Sequence, residues 1–207
     1  IREYAPDFGG RLRWISEPDW GIYDALNKGI AMATGEVIGI INSDDAYYDH
    51  SVVSRVAAEF DEECDAVYGD LIFVDKRRFS RVKRYWKSGH YDSRSFLHGW
   101  MPPHPTVFVR REIYGIYGAF RTDFKNSSDY EFILRVFYKM QIRTRYIPRV
   151  LVKMRMGGVS NKNLYNRLLA NSEDKKAWLI NRLRPRWYTF LLKPLHKLPQ
   201  FFRNYRP

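Results

Sequence analysis

The feature that most constrains this chain is a helix signal followed at once by an apolar strand that ends in two carboxylates. From Ile22 the apolar-side positions are Ile22, Ala25, Leu26, Gly29, Ile30 and Ala33, the i, i+3, i+4, i+7, i+8 spacing of one helix face. Thr34-Gly35 closes the helix, with Gly35 suited to a left-handed cap. Val37-Ile38-Gly39-Ile40-Ile41 then reads as a strand covered on both faces, as in parallel sheets. It ends at Asn42-Ser43-Asp44-Asp45. Ligands of open α/β sheets bind beyond the carboxyl ends of the strands, which is where Asp44 and Asp45 stand. Two carboxylates on such a turn suit a hard divalent cation, Mg²⁺ or Mn²⁺. The alternative is that they only shape the turn.

The rest of the chain continues the alternation. Arg11–Ile15 reads as a short strand and Glu17–Gly21 as a turn. Helix is expected over Ser51–Phe60, with Val52, Val53, Val56 and Phe60 inward. Strand is expected over Ala66–Val74 and Thr106–Val109, and a short helix over Arg111–Tyr117, closed by Gly118. A helix from Asp129 to Met140 has Ser128 as its N-cap and Glu131 three residues on, a capping box. Ile142–Met154 holds one or two strands around Pro148, Gly157-Gly158-Val159-Ser160 is a loop, and Leu164–Leu183 is a helix. Arg77–Trp100 is basic and aromatic-rich, without a clear element. Alternating strands and helices predict an α/β class with a mostly parallel sheet.

Charge divides the 207 residues unevenly. Nine of the 35 basic residues, and none of the 23 acidic ones, lie from Lys175 onward, leaving 26 basic against 23 acidic groups before it. The body is nearly neutral and the tail carries most of the positive field, which points to an anionic partner. Trp187, Phe190, Leu191, Leu195 and Leu198 recur at near-helical spacing among Arg186, Lys193 and Lys197, interrupted by Pro194 and Pro199. Two readings stand: a segment lying on an anionic membrane surface, or an aromatic patch docking on the body. A nucleic-acid module is disfavoured, because the aromatics occupy no evident strand platform. A single cysteine, Cys64, excludes an internal disulfide framework and points to a cytoplasmic setting. No apolar run approaches membrane-span length.

Glu17-Pro18-Asp19-Trp20-Gly21-Ile22-Tyr23-Asp24-Ala25-Leu26-Asn27-Lys28-Gly29, Ala33-Thr34-Gly35-Glu36 and Ile41-Asn42-Ser43-Asp44-Asp45 closely resemble the family 2 glycosyltransferases of bacterial cell-surface polysaccharide assembly. Val67-Tyr68-Gly69-Asp70, Pro103-His104-Pro105-Thr106-Val107-Phe108, Ser127-Ser128-Asp129-Tyr130-Glu131-Phe132 and Gly157-Gly158-Val159-Ser160 resemble the same family, in order. The resemblance spans roughly residues 11–165. It implies the GT-A fold, a nucleotide-sugar donor and a glycan or lipid-linked acceptor. It also implies a divalent cation on Asp44, the match to the second Asp of the family's Asp-x-Asp motif. Asn42 stands where the first Asp is expected and Asp45 follows. Asp129 matches the catalytic base, with Ser128 where the family often has Glu. Asp19, Asn27 and Lys28 fall in the segment lining the nucleotide diphosphate, and His104 on the acceptor side. Family members begin with a further strand, helix and strand that read the nucleotide base. Nothing before Arg11 supplies them, so the resemblance implies a chain lacking that N-terminal unit. The expected division is a catalytic domain over residues 1–160 and a helical, basic extension over 161–207.

Plainer readings accompany several of these residues. Asp129 is also a first-turn helix acid favoured by the helix dipole. Lys28 and Asp24 form an i,i+4 pair, and Asn27 fits an exposed helix position. His104 between two prolines fits a structural role. Tyr23, Tyr68 and Trp100 suit either sugar stacking or the core. The functional alternatives are a non-catalytic remnant and a basic protein that binds nucleic acid or an anionic surface.

Overall fold

Strands and helices are interspersed through the computed structural model, which describes residues 1–157, 164–196, 198–202 and 205. After a 3-10 turn at Ala5–Phe8 come α1 (Ile22–Met32), β1 (Val37–Gly39), β2 (Ala46–Tyr47), α2 (Val52–Ala57), β3 (Ala66–Val74) and β4 (Val82–Trp86). Two 3-10 turns, Ser95–His98 and His104–Thr106, lead to β5 (Phe108–Arg110) and α3 (Arg111–Tyr117). Then come α4 (Ser128–Ile133), continued by a π-helical stretch at Leu134–Lys139, β6 (Thr144–Arg155), α5 (Leu164–Ile180), α6 (Thr189–Leu195) and α7 (Pro199–Phe202). Of the loop expected at 157–160, residues 158–160 lie outside the described residues, as does Lys197.

The α/β class holds, but the sheet is mixed rather than mostly parallel. Its order is β1-β5-β3-β6-β2, with β4 also on β3. Only β3 and β6 run parallel; the other four pairings are antiparallel. Connection length explains part of this. A parallel neighbour needs a crossover of about a dozen residues or more, and β4 follows β3 after the short 75–81 link. The β3–β6 crossover is long enough to pass through α3 and α4.

β3 is central and buried at all nine positions. Its register with β6 jumps from Gly69↔Ile147 to Asp70↔Val150. The two residues left over are Pro148 and Arg149, and proline has no N–H to give a ladder. β1 is shorter and less covered than expected: Ile38 is buried, Gly39 is exposed, and Ile40 and Ile41 fall outside it. Its place at the end of the strand order is the reason, since an end strand has one neighbour. Gly39 is required there, because a Cβ would stand 2.4 Å from the Phe108 ring.

Other boundaries move for local reasons. Residues 11–15 form no strand, and α2 is shorter than Ser51–Phe60, with Val53 exposed. β5 starts at Phe108 because Pro103-His104-Pro105 makes a 3-10 turn that runs to Thr106. Helix α1 closes on an extended Ala33 rather than at Gly35. Ser127, not Ser128, is the N-cap of α4. The capping box does not form, since the Ser128 hydroxyl is buried without a partner among the described residues.

The C-terminal elements pack onto the body. Ala177 and Trp178 of α5 join the main core with Tyr68, Phe96, Phe132 and Phe137, and Leu183 and Phe190 pack against it. Thr189 donates its hydroxyl to the Leu97 carbonyl (2.7 Å). Lys193 pairs with Asp174 and sits 3.7 Å over the Tyr130 ring. Tyr205 meets the Tyr85 ring edge-on at 5.4 Å. The docking reading therefore describes the inner side of the tail. Its outer side remains apolar: Trp187 is 84% exposed, and Leu191, Leu195 and Leu198 are each more than half exposed.

Candidate functional site

Asp129 lies in the first turn of α4. Tyr23 of α1 donates its hydroxyl to Asp129 Oδ1 (3.2 Å). Burial, then the adjacent Asp129 charge, pushes the Tyr23 phenol far above its ordinary range, so it stays a proton donor. His104, in the turn before β5, also faces Asp129. Burial lowers its pKa below the usual 6.5 and outweighs the opposing pull of Asp129, so the imidazole is neutral at pH 7. The His104 and Tyr23 rings both rest on Phe120, with centroids 5.5 and 5.9 Å away.

The backbone ahead of Asp129 is held from α5. The N–H groups of Lys125, Asn126 and Ser127 donate to the buried Glu173 carboxylate at 2.7, 2.8 and 3.0 Å. Such a row of amides forms an anion-binding concavity, filled here by the protein's own carboxylate. Trp178 Nε1 donates to the Tyr130 hydroxyl (2.8 Å). Glu131, instead of closing a capping box, pairs with Arg135 (2.9 Å) and accepts from Asn181 (2.9 Å).

The 42–45 turn is built differently. Asn42 donates its amide to Asp45 Oδ2 (2.9 Å), and Asp45 Oδ1 accepts the Arg155 N–H (3.3 Å). Both Asp45 oxygens thus shape the turn and tie it to β6, the plainer of the two readings for that residue. Burial, with the Asp44 charge adding to it, raises the Asp45 carboxyl pKa. Asp44 is exposed. Among the described residues no three His, Cys, Asp or Glu side chains converge into a cation cage. One open carboxylate still fits Mg²⁺ or Mn²⁺, ions that proteins commonly hold through one or two carboxylates plus substrate phosphates.

Topology brings the two regions toward the same end of the sheet. β1 and β5 are antiparallel with Gly39 opposite Phe108, so β1 ends where β5 begins. The 42–45 turn follows β1, and the His104 turn precedes β5.

The remaining expected residues sit on or beside α1. Asp19 Oδ1 accepts the Gly21 N–H (2.8 Å), setting the turn before the helix. Lys28 donates to the Pro18 carbonyl (2.8 Å) and pairs with Glu17 (2.8 Å) and Asp24 (3.4 Å), so the i,i+4 pair is present. Asn27 is not an exposed helix position: its amide donates to the Phe120 carbonyl (2.8 Å), and its Oδ1 accepts the Phe120 N–H (3.0 Å). Tyr68 is a core residue whose hydroxyl donates to the Gly89 carbonyl (3.0 Å), and Trp100 Nε1 donates to the Ser88 carbonyl (2.7 Å). A shallow depression of about 450 Å³ between α1 and α3 is lined by Asn27, Ile30, Arg111 and Tyr114, without Asp44 or Asp129.

Residues 1–115 match the family described as glycosyl transferase family 2. The chain belongs to that family. The mixed α/β architecture of this family 2 chain is consistent with the GT-A fold. Over 161 residues it is 32% identical to a PGL/p-HBAD biosynthesis glycosyltransferase of Mycobacterium tuberculosis (strain ATCC 25177 / H37Ra), a match covering 76% of this chain and 60% of the relative. The Mycobacterium bovis counterpart (strain BCG / Pasteur 1173P2) matches equally. An uncharacterized glycosyltransferase of M. tuberculosis (strain CDC 1551 / Oshkosh) is 31% identical over 127 residues, covering 61% of this chain and 48% of the relative. The chain thus spans about three-fifths of the length of the first of these relatives.

Sequence reasoning missed two residues that hold the Asp129 region. Glu173 carried no motif and sat in a segment read as an extension. Tyr23 on sequence grounds suits stacking or the core, and its partner lies 106 positions away. Within the family 2 chain the only hint of Tyr23 was its place one helical turn before Asn27.

Proposed function

We propose that this chain forms the acceptor-side and cation-side part of an inverting glycosyltransferase. The enzyme moves a sugar from a nucleotide-diphosphate sugar to a hydroxyl of a glycan or lipid-linked acceptor during cell-surface polysaccharide synthesis. The observation that carries the reading is Asp129: a half-buried carboxylate on a firmly held helix start, with only Oδ1 engaged among the described residues. The mycobacterial relatives named for PGL/p-HBAD biosynthesis support a biosynthetic role.

An acceptor hydroxyl ionises far above neutral pH, so its proton must be taken as it attacks. Asp129 takes that proton while the hydroxyl oxygen bonds to the anomeric carbon. The bond from that carbon to the diphosphate breaks, its electron pair leaves with the nucleoside diphosphate, and the anomeric configuration inverts. Neutral His104 beside Asp129 leaves the carboxylate charge uncompensated, which favours its service as a base. A divalent cation bound at Asp44 supplies Lewis-acid stabilisation of the charge growing on the diphosphate. Asn42 and Asp45 hold the turn, and Asp19 and Lys28 shape the segment assigned to the donor.

The test is Asp129→Asn in the full-length protein, with nucleoside diphosphate release followed over a panel of nucleotide sugars. General-base catalysis contributes about 10²- to 10⁴-fold, so the variant loses activity by that factor while keeping its fold. An unchanged rate contradicts the reading.

We also place the enzyme peripherally on the cytoplasmic face of an anionic membrane. No described helix is long and apolar enough to cross one. The outer face of α6, with Trp187 before it and Leu198 after, is apolar, and the tail is basic. Each basic group near an anionic bilayer adds about 1 kcal/mol. The inner aromatics pack on the body instead of forming an open platform, which disfavours nucleic acid. Cosedimentation with phosphatidylglycerol vesicles but not phosphatidylcholine vesicles, weakened by Leu191→Asp, is the expected result.

A further inference from the structure

The segment Tyr23-Asp24-Ala25-Leu26-Asn27 is only partly explained by a donor-side role. Tyr23 and Asn27 are one helical turn apart on α1, so they share a face. Asn27 clamps the backbone of Phe120 through both its amide groups. Phe120 supports the rings of Tyr23 and His104. Tyr23 is 8% exposed, so its ring offers no face to a sugar. Its hydroxyl goes to Asp129 Oδ1.

We propose that Tyr23 is the positioning residue of the transfer reaction, its hydroxyl holding Oδ1 of Asp129 so that Oδ2 is the oxygen presented to the acceptor hydroxyl. The inference rests on Asp129 being the general base. In the reaction Tyr23 keeps its own proton: the acceptor proton goes to Oδ2 and the Tyr23 hydrogen bond to Oδ1 persists. Asn27 acts behind Tyr23 by fixing Phe120, which moves Asn27 from the diphosphate side to the base side. The titratable groups facing Asp129, among the described residues, are Tyr23 from α1 and His104 from the turn before β5.

Tyr23→Phe keeps the ring on Phe120 and removes only the hydroxyl. A hydrogen bond to a charged group is worth about 10- to 100-fold. The expected result is a kcat lower by about that factor, with the KM for the nucleotide sugar essentially unchanged. Incorporating 3-fluorotyrosine at position 23, which keeps a hydroxyl to donate to Oδ1, restores most of the kcat lost in Tyr23→Phe. An unchanged kcat in Tyr23→Phe, a raised KM for the nucleotide sugar with kcat kept, or no recovery of kcat with 3-fluorotyrosine overturns the proposal while Asp129→Asn remains impaired. An active Asp129→Asn overturns the base reading and this inference with it.

Discussion

Asp129 and Asp44 both stand where a regular element meets a turn, yet their surroundings differ sharply. Asp129 has Tyr23 on its side chain, and Glu173, Trp178 and Asn181 of α5 or just beyond it on the backbone and residues around it. Asp44 is exposed on a turn held by Asn42, Asp45 and one bond to β6. The difference teaches what each region needs from a ligand. The base role proposed for Asp129 works only when the carboxylate is aimed, which fits a geometry built into the protein before substrate arrives. In the proposed enzyme, a carboxylate that holds Mg²⁺ or Mn²⁺ needs phosphate oxygens to complete its coordination, which fits the exposure of Asp44.

The comparison breaks first at Glu173. Glu173→Ala leaves three backbone N–H groups at the start of α4 without their acceptor. Of the three, only the Ser127 N–H is fully buried, and an unsatisfied buried donor costs about 1 to 3 kcal/mol, so urea unfolding should show a loss of about that size. Glu173→Gln, which keeps acceptor capacity, should lose less. Equal stability of Glu173→Ala and the parent would mean that α5 does not secure the Asp129 region.

A smaller effect is expected from His104. Its folded pKa lies below 6.5 because of burial, so the unfolded chain binds the proton more readily. The associated stability is fully present above about pH 6.5 and is lost as pH falls through the folded value. Unfolding midpoints compared at pH 7.5 and 5.5 should therefore fall less in His104→Gln than in the parent. The same slope in both proteins would show that His104 is not held neutral beside Asp129.

How much of this could be read from the sequence depends on range. β3 over Ala66–Val74 and α3 over Arg111–Tyr117 match residue for residue, because one is a dense β-branched and aromatic run and the other a short helical pattern stopped by Gly118. Strand direction was not legible, since antiparallel and parallel partners present similar apolar strands and differ only in who pairs with whom. The site divides the same way. Asp44, Asp45, Asp129 and His104 stood in recognisable local patterns. The bonds from Tyr23 to Asp129 and from Glu173 to residues 125–127 connect distant stretches, and no local pattern announces either. Ser128 shows the reverse failure: a good capping signal overridden when Glu131 was drawn to Arg135 and Asn181.

The proposed division of labour between the two aspartates is tested most directly by Mn²⁺ binding in the full-length protein, followed by electron paramagnetic resonance with UDP, GDP or dTDP present. Asp44→Ala is expected to abolish protein-bound Mn²⁺, and Asp129→Asn to leave it intact. Mn²⁺ binding that survives Asp44→Ala, or disappears in Asp129→Asn, would contradict that division.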